Sequence, residues 1–172
     1  LIDRKWLTRK ECESYDWGRD EKRVDYAKIY ASRFRLLRKA YKRSGISSDK
    51  GFVSYVKSNA YWLPDYALFM ALKDAHGGRS WETWEKGLRV REKSVLEKAR
   101  QKYAADIEFY EFLQYEFSLE WKQLKKYANR NGIEIVGDIP IYVAFDSADT
   151  WANPGLFEFD DELQPIDRKS VV

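Results

Sequence analysis

The feature that most constrains this chain is a change in hydrophobic period next to Asn131. Before it, apolar residues recur at helical spacing, most clearly in a stripe that runs from Ile107 through Trp121 to Ala128. Asn131 and Gly132 are typical of a left-handed helix stop. The following segment, IEIVGDIPIYVA, is short, β-branched and apolar on both faces, which is typical of a strand buried in a parallel sheet. The sequence therefore predicts an α/β unit that follows a long run of helices.

Composition narrows the class of protein. The 172 residues suffice for one ordinary domain, and a hydrophobic share of 44% excludes a disordered chain. The 31 basic and 28 acidic residues leave a net charge of +3 and are mixed along the chain, which favours a solvated surface over a nucleic-acid-binding face. Aromatic residues reach 16%, more than a core of this size needs. Some rings are therefore expected to face a sugar, a single-stranded nucleic acid or a partner protein.

Cys12 and His76 are the only residues of their types. A lone cysteine forms no disulfide within the chain, and one histidine with one cysteine makes no Cys/His metal cluster. The opening LIDRKWLTRKE has no signal-peptide core, and no stretch approaches the roughly 20 apolar residues of a membrane span. These observations predict a cytoplasmic protein without a membrane segment or a bound metal.

Local signals predict the helix boundaries before the strand. Thr8 and Glu11 fit a capping box, Ser47 or Ser48 fits the N-cap of a short helix, and Pro64 fits the first turn of the next. That helix is expected to end at Gly77 and Gly78, with His76 capping its last turn rather than serving as a catalytic base. A further helix is expected from Glu92, with a break near Tyr103.

Another helix is predicted from Val24. Its apolar face is expected to contain Ala27, Tyr30, Phe34, Leu37 and Tyr41. The same helix carries a basic run, Arg33, Arg35, Arg38, Lys39 and Lys42. Such a run is either a solvated face, which is the commoner explanation, or a patch that binds RNA or protein.

The loop after the predicted strand, FDSADTWANPG, is dense in polar groups. Asp146, Ser147 and Asp149 suit hydrogen bonds to sugar hydroxyls, and Trp151 suits stacking on a sugar ring. Asp138 lies inside the predicted strand, where a buried carboxylate needs a cation, such as an arginine, or several hydrogen-bond donors, either from this chain or from outside it. The structural alternatives are equally open: DSAD fits a helix N-cap, Trp151 packs in a core, and Asp138 forms an ion pair.

Two further sugar-related interpretations are considered. Trp81 and Trp84 lie three residues apart and form either a sugar platform or the packing of a loop over the helices. Asp138 and Asp146 would be the two carboxylates of a glycosidase only if they flanked the scissile bond, about 5 Å apart for retention. Nothing in their spacing shows this arrangement.

The segment GIEIVGDIPIYVAFDSADTWANPGLFEFD closely resembles the signature region of the 4-α-glucanotransferases, the amylomaltase or disproportionating-enzyme family. The resemblance extends back through WLPDYALFMALKDAHGG, RVDYAKIYASRFRLLRKAY and RKECESYDWG, and so covers residues 1–167. It implies a (β/α)8 barrel with helical insertions, acting in glycogen or starch metabolism. It also implies transfer of α-1,4-glucan segments between malto-oligosaccharides with retention, through a covalent intermediate and without a cofactor. The family's three essential acids follow the matched region, so no catalytic residue is assigned.

The resemblance implies a division of the chain. Residues 1–131 are expected to be a helical insertion region, 132–167 a barrel strand with its substrate-facing loop, and 168–172 a tail that matches nothing in the family. The chain is then an internal fragment, mostly α-helical with about one barrel strand. Residues 133–143 are expected to lack a parallel partner and to be extended, exposed or loosely packed on the helices. Because apolar surface is left open, the fragment is expected to have marginal solubility. The predicted substrate-binding residues are Asp138, Tyr142, Asp146, Ser147 and Trp151.

Three functions follow from these alternatives. The first is a part of a 4-α-glucanotransferase that binds α-1,4-glucans such as maltose and malto-oligosaccharides, with no nucleic-acid or membrane partner, and is inactive alone. The second is a free-standing helical module that binds RNA or protein through the basic helix. The third is a small autonomous glycosidase that uses Asp138 and Asp146.

Overall fold

The structure is a computed structural model that describes residues 1–18, 20, 22–139, 142–160 and 162–166. The predicted tail at 168–172 lies outside these residues. The described residues are mainly helical, and their α-helices are α1 Arg9–Glu13, α2 Tyr26–Ser44, α3 Lys50–Ser58, α4 Leu63–Ala75, α5 Lys86–Arg89, α6 Lys93–Lys102, α7 Ala104–Arg130 and α8 Ala148–Ala152. Short 3-10 turns lie at Ile46–Ser48, Trp81–Thr83 and Pro154–Leu156. The chain divides into two compact units, Leu1–Ser54 and the remainder from Tyr55.

The first unit packs α2 against the N-terminal segment. Its core contains Leu7, Leu36 and Ala40. The predicted capping box is present, with Glu11 N donating to Thr8 Oγ1 at 3.2 Å and Thr8 N donating to Glu11 at 3.0 Å. Arg43 makes two hydrogen bonds to the Glu11 carboxylate, of 2.8 and 2.9 Å, which lower the pKa of Glu11 to about 2. This pair joins the start of the chain to the last turn of α2.

The predicted apolar face of α2 is only partly correct, because Phe34, Leu37 and Tyr41 are half-buried whereas Ala27 and Tyr30 are exposed. The buried residues are Ser32, Leu36 and Ala40, whereas Tyr30 is 68% exposed. Small and branched side chains at steps of four let the N-terminal segment approach this side of the helix closely. The aromatic residues with which the expected face was drawn lie to one side, where Tyr30 contacts Phe34 edge-on.

The second unit is built around tryptophans. Its core combines α4, α5, α6 and α8, and its buried members are Leu68, Phe69, Leu72, Trp81, Trp84, Leu88, Leu96, Ala99 and Trp151. The Phe69 ring lies 5.4 Å from Trp84 and 5.8 Å from Trp151, measured between centroids. Many of the aromatic residues therefore pack in the core, because burying each large ring removes a large apolar area from water.

Most helix ends lie where the local signals predict them. Pro64 lies in the first turn of α4, and His76 is its C-cap, followed by Gly77 and Gly78 with positive φ. Tyr103 separates α6 from α7. The predicted cap of α3 is wrong by one or two residues, because Asp49 Oδ1, rather than Ser47 or Ser48, accepts the hydrogen bond from Phe52 N at 2.8 Å.

The long helix α7 is covered over its first half and again at Ala128, and its apolar stripe is exposed between them. Phe109, Tyr110 and Phe112 are buried. Phe117, Trp121 and Leu124, which continue the apolar stripe, are 62%, 42% and 53% exposed. We call these three residues the open α7 face.

The predicted barrel strand is not found among the described residues. Among the described residues of the segment 133–144, none belongs to a β-strand, and the one β-bridge assigned in the described chain joins Phe159 to Pro165. Val136 and Ile139 are 90% and 80% exposed. The expectation that this segment lies exposed, without a parallel neighbour, agrees with its described residues. A strand exists only when a neighbour takes up its backbone hydrogen bonds, so the local pattern alone is insufficient.

Within the part of the chain that the structure describes, no helix has both the length and the apolar content that a membrane crossing requires.

Glu111 on α7 is expected to make stability depend on pH. Burial, together with the nearby Glu108, raises the pKa of Glu111 from 4.5 to about 7. Between these values the unfolded chain releases a proton that the folded chain keeps, so the free energy of unfolding falls as pH rises. Glu111→Gln removes this loss. Because Glu111 is partly exposed, solvent weakens the effect. We therefore expect Glu111→Gln to raise the free energy of unfolding by about 1 kcal/mol at pH 8 and to leave it unchanged at pH 4.

Chemical denaturation of Glu111→Gln and the parent chain at both pH values measures this difference. The control is Glu120→Gln, which alters an exposed residue of the same helix and is expected to change neither value. An equal gain for Glu111→Gln at pH 4 and pH 8 would show that titration is not its cause.

Candidate functional site

The segment that leads into the candidate loop presents its side chains to solvent. Asp138 is exposed, and its Oδ1 accepts a 2.8 Å hydrogen bond from Ile139 N. Asp138 is therefore not buried in this chain, and a cation partner from outside the chain stays a prediction. Tyr142 is 63% exposed. Both predicted residues are available to a ligand.

The loop beyond this segment is anchored at Asp146. One carboxylate oxygen, Oδ2, forms an ion pair with Lys73 in the last turn of α4. The other, Oδ1, accepts a 3.4 Å hydrogen bond from Trp81 N. The Asp146 and Lys73 side chains keep 34% and 21% of their surface exposed. Asp146 thus has a cation partner within the chain, and sequence reasoning did not identify it.

Ser147 and Thr150 shape the turn itself. Ser147 is the N-cap of α8, and its Oγ accepts a 3.3 Å hydrogen bond from Thr150 N. Thr150 is fully buried, and its hydroxyl donates to the carbonyl oxygens of Phe145 and Ser147. The structural alternative for DSAD, a helix N-cap, is therefore correct, with Ser147 as the capping residue. Asp149 is exposed in the first turn of α8.

Trp151 packs in the core of the second unit. It is 1% exposed, its indole N–H donates to Leu88 O at 2.9 Å, and the Arg91 guanidinium lies 4.3 Å from its ring centroid. Arg91 in turn donates to Asp65 at 2.8 Å. In this structure the ring has no face open to a sugar, so the packing alternative describes Trp151.

Trp81 and Trp84 are also buried, at 1% and 4% exposure, so they pack rather than form a sugar platform. The Trp81 indole N–H donates to Phe145 O at 2.8 Å, which ties the 3-10 turn Trp81–Thr83 directly to the candidate loop. Trp81 and Trp84 therefore pack beneath the candidate loop as part of the core, through Phe145 and Trp151.

His76 behaves as the predicted helix cap. Its Nδ1 lies 2.7 Å from Leu72 O, and its ring stacks on Trp84 with centroids 5.1 Å apart. Its Nε2 lies 3.1 Å from Glu85, a partner that the sequence did not reveal. A hydrogen bond from the backbone of Glu85 and a second from His76 lower the pKa of the Glu85 carboxyl.

The candidate site thus has two parts. Asp146, Ser147 and Trp151 are fixed on the helical core, while Asp138 and Tyr142 lie in the exposed segment. Three residues that hold the fixed part, Lys73, Arg91 and Thr150, were missed. Lys73 and Arg91 are distant in sequence from Asp146 and Trp151, and a carboxylate or ring does not indicate which distant residue will contact it. Thr150 lies only three residues after Ser147 and was not singled out. Among the described residues, no group of three or more His, Cys, Asp or Glu side chains could hold a metal ion.

Comparison with known proteins identifies the family. Residues 1–164 match a family model described as 4-alpha-glucanotransferase. The chain belongs to this family. The 4-alpha-glucanotransferase of Clostridium butyricum is 38% identical over 96% of the chain, and that of Streptococcus pneumoniae TIGR4 is 43% identical over 93%. The match is continuous from the first helix through the candidate loop, as the sequence resemblance predicted.

A solved structure of a 4-alpha-glucanotransferase relative shares the fold. The amylomaltase from Streptococcus agalactiae in complex with acarbose superposes with a TM-score of 0.88 over 96% of this chain, at 33% sequence identity. The chain covers 34% of that protein and 34% and 32% of the Clostridium and Streptococcus pneumoniae relatives. It therefore spans about a third of the length of the 4-alpha-glucanotransferases that it matches.

Proposed function

We propose that this chain is part of a 4-alpha-glucanotransferase that transfers α-1,4-glucan segments between malto-oligosaccharides with retention of configuration. The observation that carries the proposal is the match of residues 1–164 to that family, together with the fold shared with an amylomaltase. That amylomaltase is in complex with acarbose, which supports an oligosaccharide as the ligand class. A cytoplasmic location belongs to the same proposal and rests on the lone Cys12.

In this proposal the chain supplies one wall of the sugar-binding cleft. Residues 1–131 provide helical scaffolding, and residues 132–167 provide a barrel strand and its loop, while 168–172 stay outside the family fold. Asp138 and Tyr142 contact the glucan directly, because their side chains are exposed and can donate to or accept from sugar hydroxyls. Asp146, Ser147 and Trp151 belong to the same wall, and their contacts within the chain support its shape. The nucleophile and the acid/base come from the part of the family's fold that this chain does not span.

A chimera tests the proposal. Residues 1–164 replace the matched segment of the Clostridium butyricum enzyme, and maltotriose is supplied as both donor and acceptor. We expect glucose and longer malto-oligosaccharides from the chimera, at a rate within about 100-fold of the parent enzyme, since small errors in positioning cost up to that factor. We expect no products from the chain alone or from the Clostridium butyricum enzyme without its matched segment. A chimera that is folded by circular dichroism and inactive would refute the proposal.

A further inference from the structure

Both carboxylate oxygens of Asp146 are engaged within the chain. Oδ2 meets Lys73 Nζ, and Oδ1 accepts from the backbone N–H of Trp81 at 3.4 Å. A carboxylate accepts hydrogen bonds at about four sites, so these two partners fix the position of the Asp146 carboxylate while 34% of its side chain stays exposed. A sugar that reached Asp146 would lie beside the Lys73 ammonium.

The turn that carries Asp146 is held at further points. Trp81 Nε1 donates to Phe145 O at 2.8 Å, before Asp146, and Trp151 Nε1 donates to Leu88 O at 2.9 Å, after it. The Thr150 hydroxyl also bonds to Phe145 O. These bonds set the position of the turn on both sides, and the Lys73–Asp146 ion pair lies between them. Lys73 is itself held, with Nζ 5.7 Å from the Phe69 ring centroid.

We propose that Lys73 is a positioning residue for the glucan-binding wall. Through its ion pair with Asp146, it fixes the turn 145–151 and so aims the preceding segment, which contains Tyr142, at the sugar. Asp146 transmits this position and does not contact the glucan. The proposal rests on the proposed function and differs from the direct sugar contact that the family resemblance suggests for Asp146.

Kinetics of the chimera separate positioning from direct contact. Lys73→Met and Asp146→Asn each break the same ion pair, so we expect each to lower kcat/KM by a similar factor of about 10, chiefly through kcat, because a misaligned wall misplaces the reacting bond. The double variant is expected to be no worse than either single variant, since two residues that act as one unit are not additive. Lys73→Arg keeps the charge and is expected to lose less than about threefold.

A charge swap gives the sharpest test. The variant Lys73→Asp with Asp146→Lys rebuilds the ion pair in reverse. On a logarithmic scale, we expect its kcat/KM to lie at least halfway from the value for Lys73→Met to the value for the unmodified chimera. If Asp146 contacts the sugar, Asp146→Asn would instead cost at least about tenfold more than Lys73→Met, mainly in KM, and the swap would recover nothing. That result would overturn the proposal.

Amide hydrogen exchange in the full chain tests the pair without any activity. Lys73→Met is expected to speed exchange of the Trp81 backbone amide and indole N–H about tenfold, because local opening of the turn becomes easier. Lys122→Met, at an exposed position of α7, is the control and is expected to leave both unchanged. Unchanged exchange in Lys73→Met would refute the positioning role. If exchange is faster in Lys73→Met but the unmodified chimera is inactive, the proposed function is refuted and the positioning role is not.

Discussion

Trp81→Ala is expected to lower the free energy of unfolding of the second unit by about 4 kcal/mol, in the usual range for loss of a large buried ring. Trp81 is 1% exposed, and its ring lies 5.2 Å from Phe145 and 6.5 Å from Phe159, measured between centroids. The substitution also removes the indole hydrogen bond to Phe145 O. Urea denaturation followed by far-UV circular dichroism measures the loss without depending on tryptophan fluorescence.

Two further variants isolate the cause. Trp121→Ala removes a tryptophan that is 42% exposed on α7, so it is expected to cost less than about 1 kcal/mol in the isolated chain. Trp81→Phe keeps one six-membered ring but removes the N–H donor and part of the buried ring volume, so its cost is expected to fall between the two; Phe145 O still accepts from Thr150. A loss below 1 kcal/mol for Trp81→Ala would show that Trp81 does not support the core.

Features encoded by neighbouring residues were predictable from the sequence. The Thr8–Glu11 box, the Pro64 start, the His76 cap and the break at Tyr103 each depend on residues within one turn of one another. Their energies are set by backbone donors and acceptors that exist before any tertiary contact forms. The Asn131–Gly132 stop belongs to the same class, with Gly132 at φ 72°.

Features that depend on distant residues were not predictable. Periodicity placed Tyr30 on the buried side of α2, but the N-terminal segment packs on Leu36 and Ala40 instead. The local sequence around Trp151 fits both a sugar contact and a core residue. Its burial is decided by Leu88 and Arg91, about 60 residues earlier. The pairing of Asp146 with Lys73 spans a similar distance along the chain.

The segment 133–144 shows most clearly that a local sequence pattern does not determine a strand by itself. Its apolar, β-branched sequence is typical of a buried strand, yet no backbone hydrogen bond joins Glu134–Ile139 or Tyr142–Ala144 to another described residue. A groove of about 390 Å³, lined by Lys125, Asn129 and 132–135, lies beside its start. The chain spans about a third of the length of its relatives, and under the proposed function the neighbours that would complete a strand here belong to the remaining two thirds.

Val136→Lys is therefore expected to have opposite consequences in two settings. In the chain alone, Val136 is 90% exposed, so the lysine is expected to change the free energy of unfolding by less than about 0.5 kcal/mol. It is also expected to reduce self-association, because it interrupts an exposed apolar edge. In the chimera, the proposed function leads us to expect this position to be buried in a completed sheet, where an unpaired charge costs several kcal/mol, so activity is expected to fall at least 100-fold.

Sedimentation velocity measures the effect of Val136→Lys on self-association of the chain, and maltotriose turnover measures its effect on the activity of the chimera. Lys98→Glu, which alters an exposed residue of α6, is the control and is expected to leave turnover within about twofold, as surface charges contribute little. Trp121→Lys on the open α7 face is expected to behave like Val136→Lys, because both side chains are large apolar groups left uncovered in the chain. Full turnover by the Val136→Lys chimera would mean that this segment stays exposed in the complete enzyme, and the strand assignment would then be wrong for the whole family fold as well as for the isolated chain.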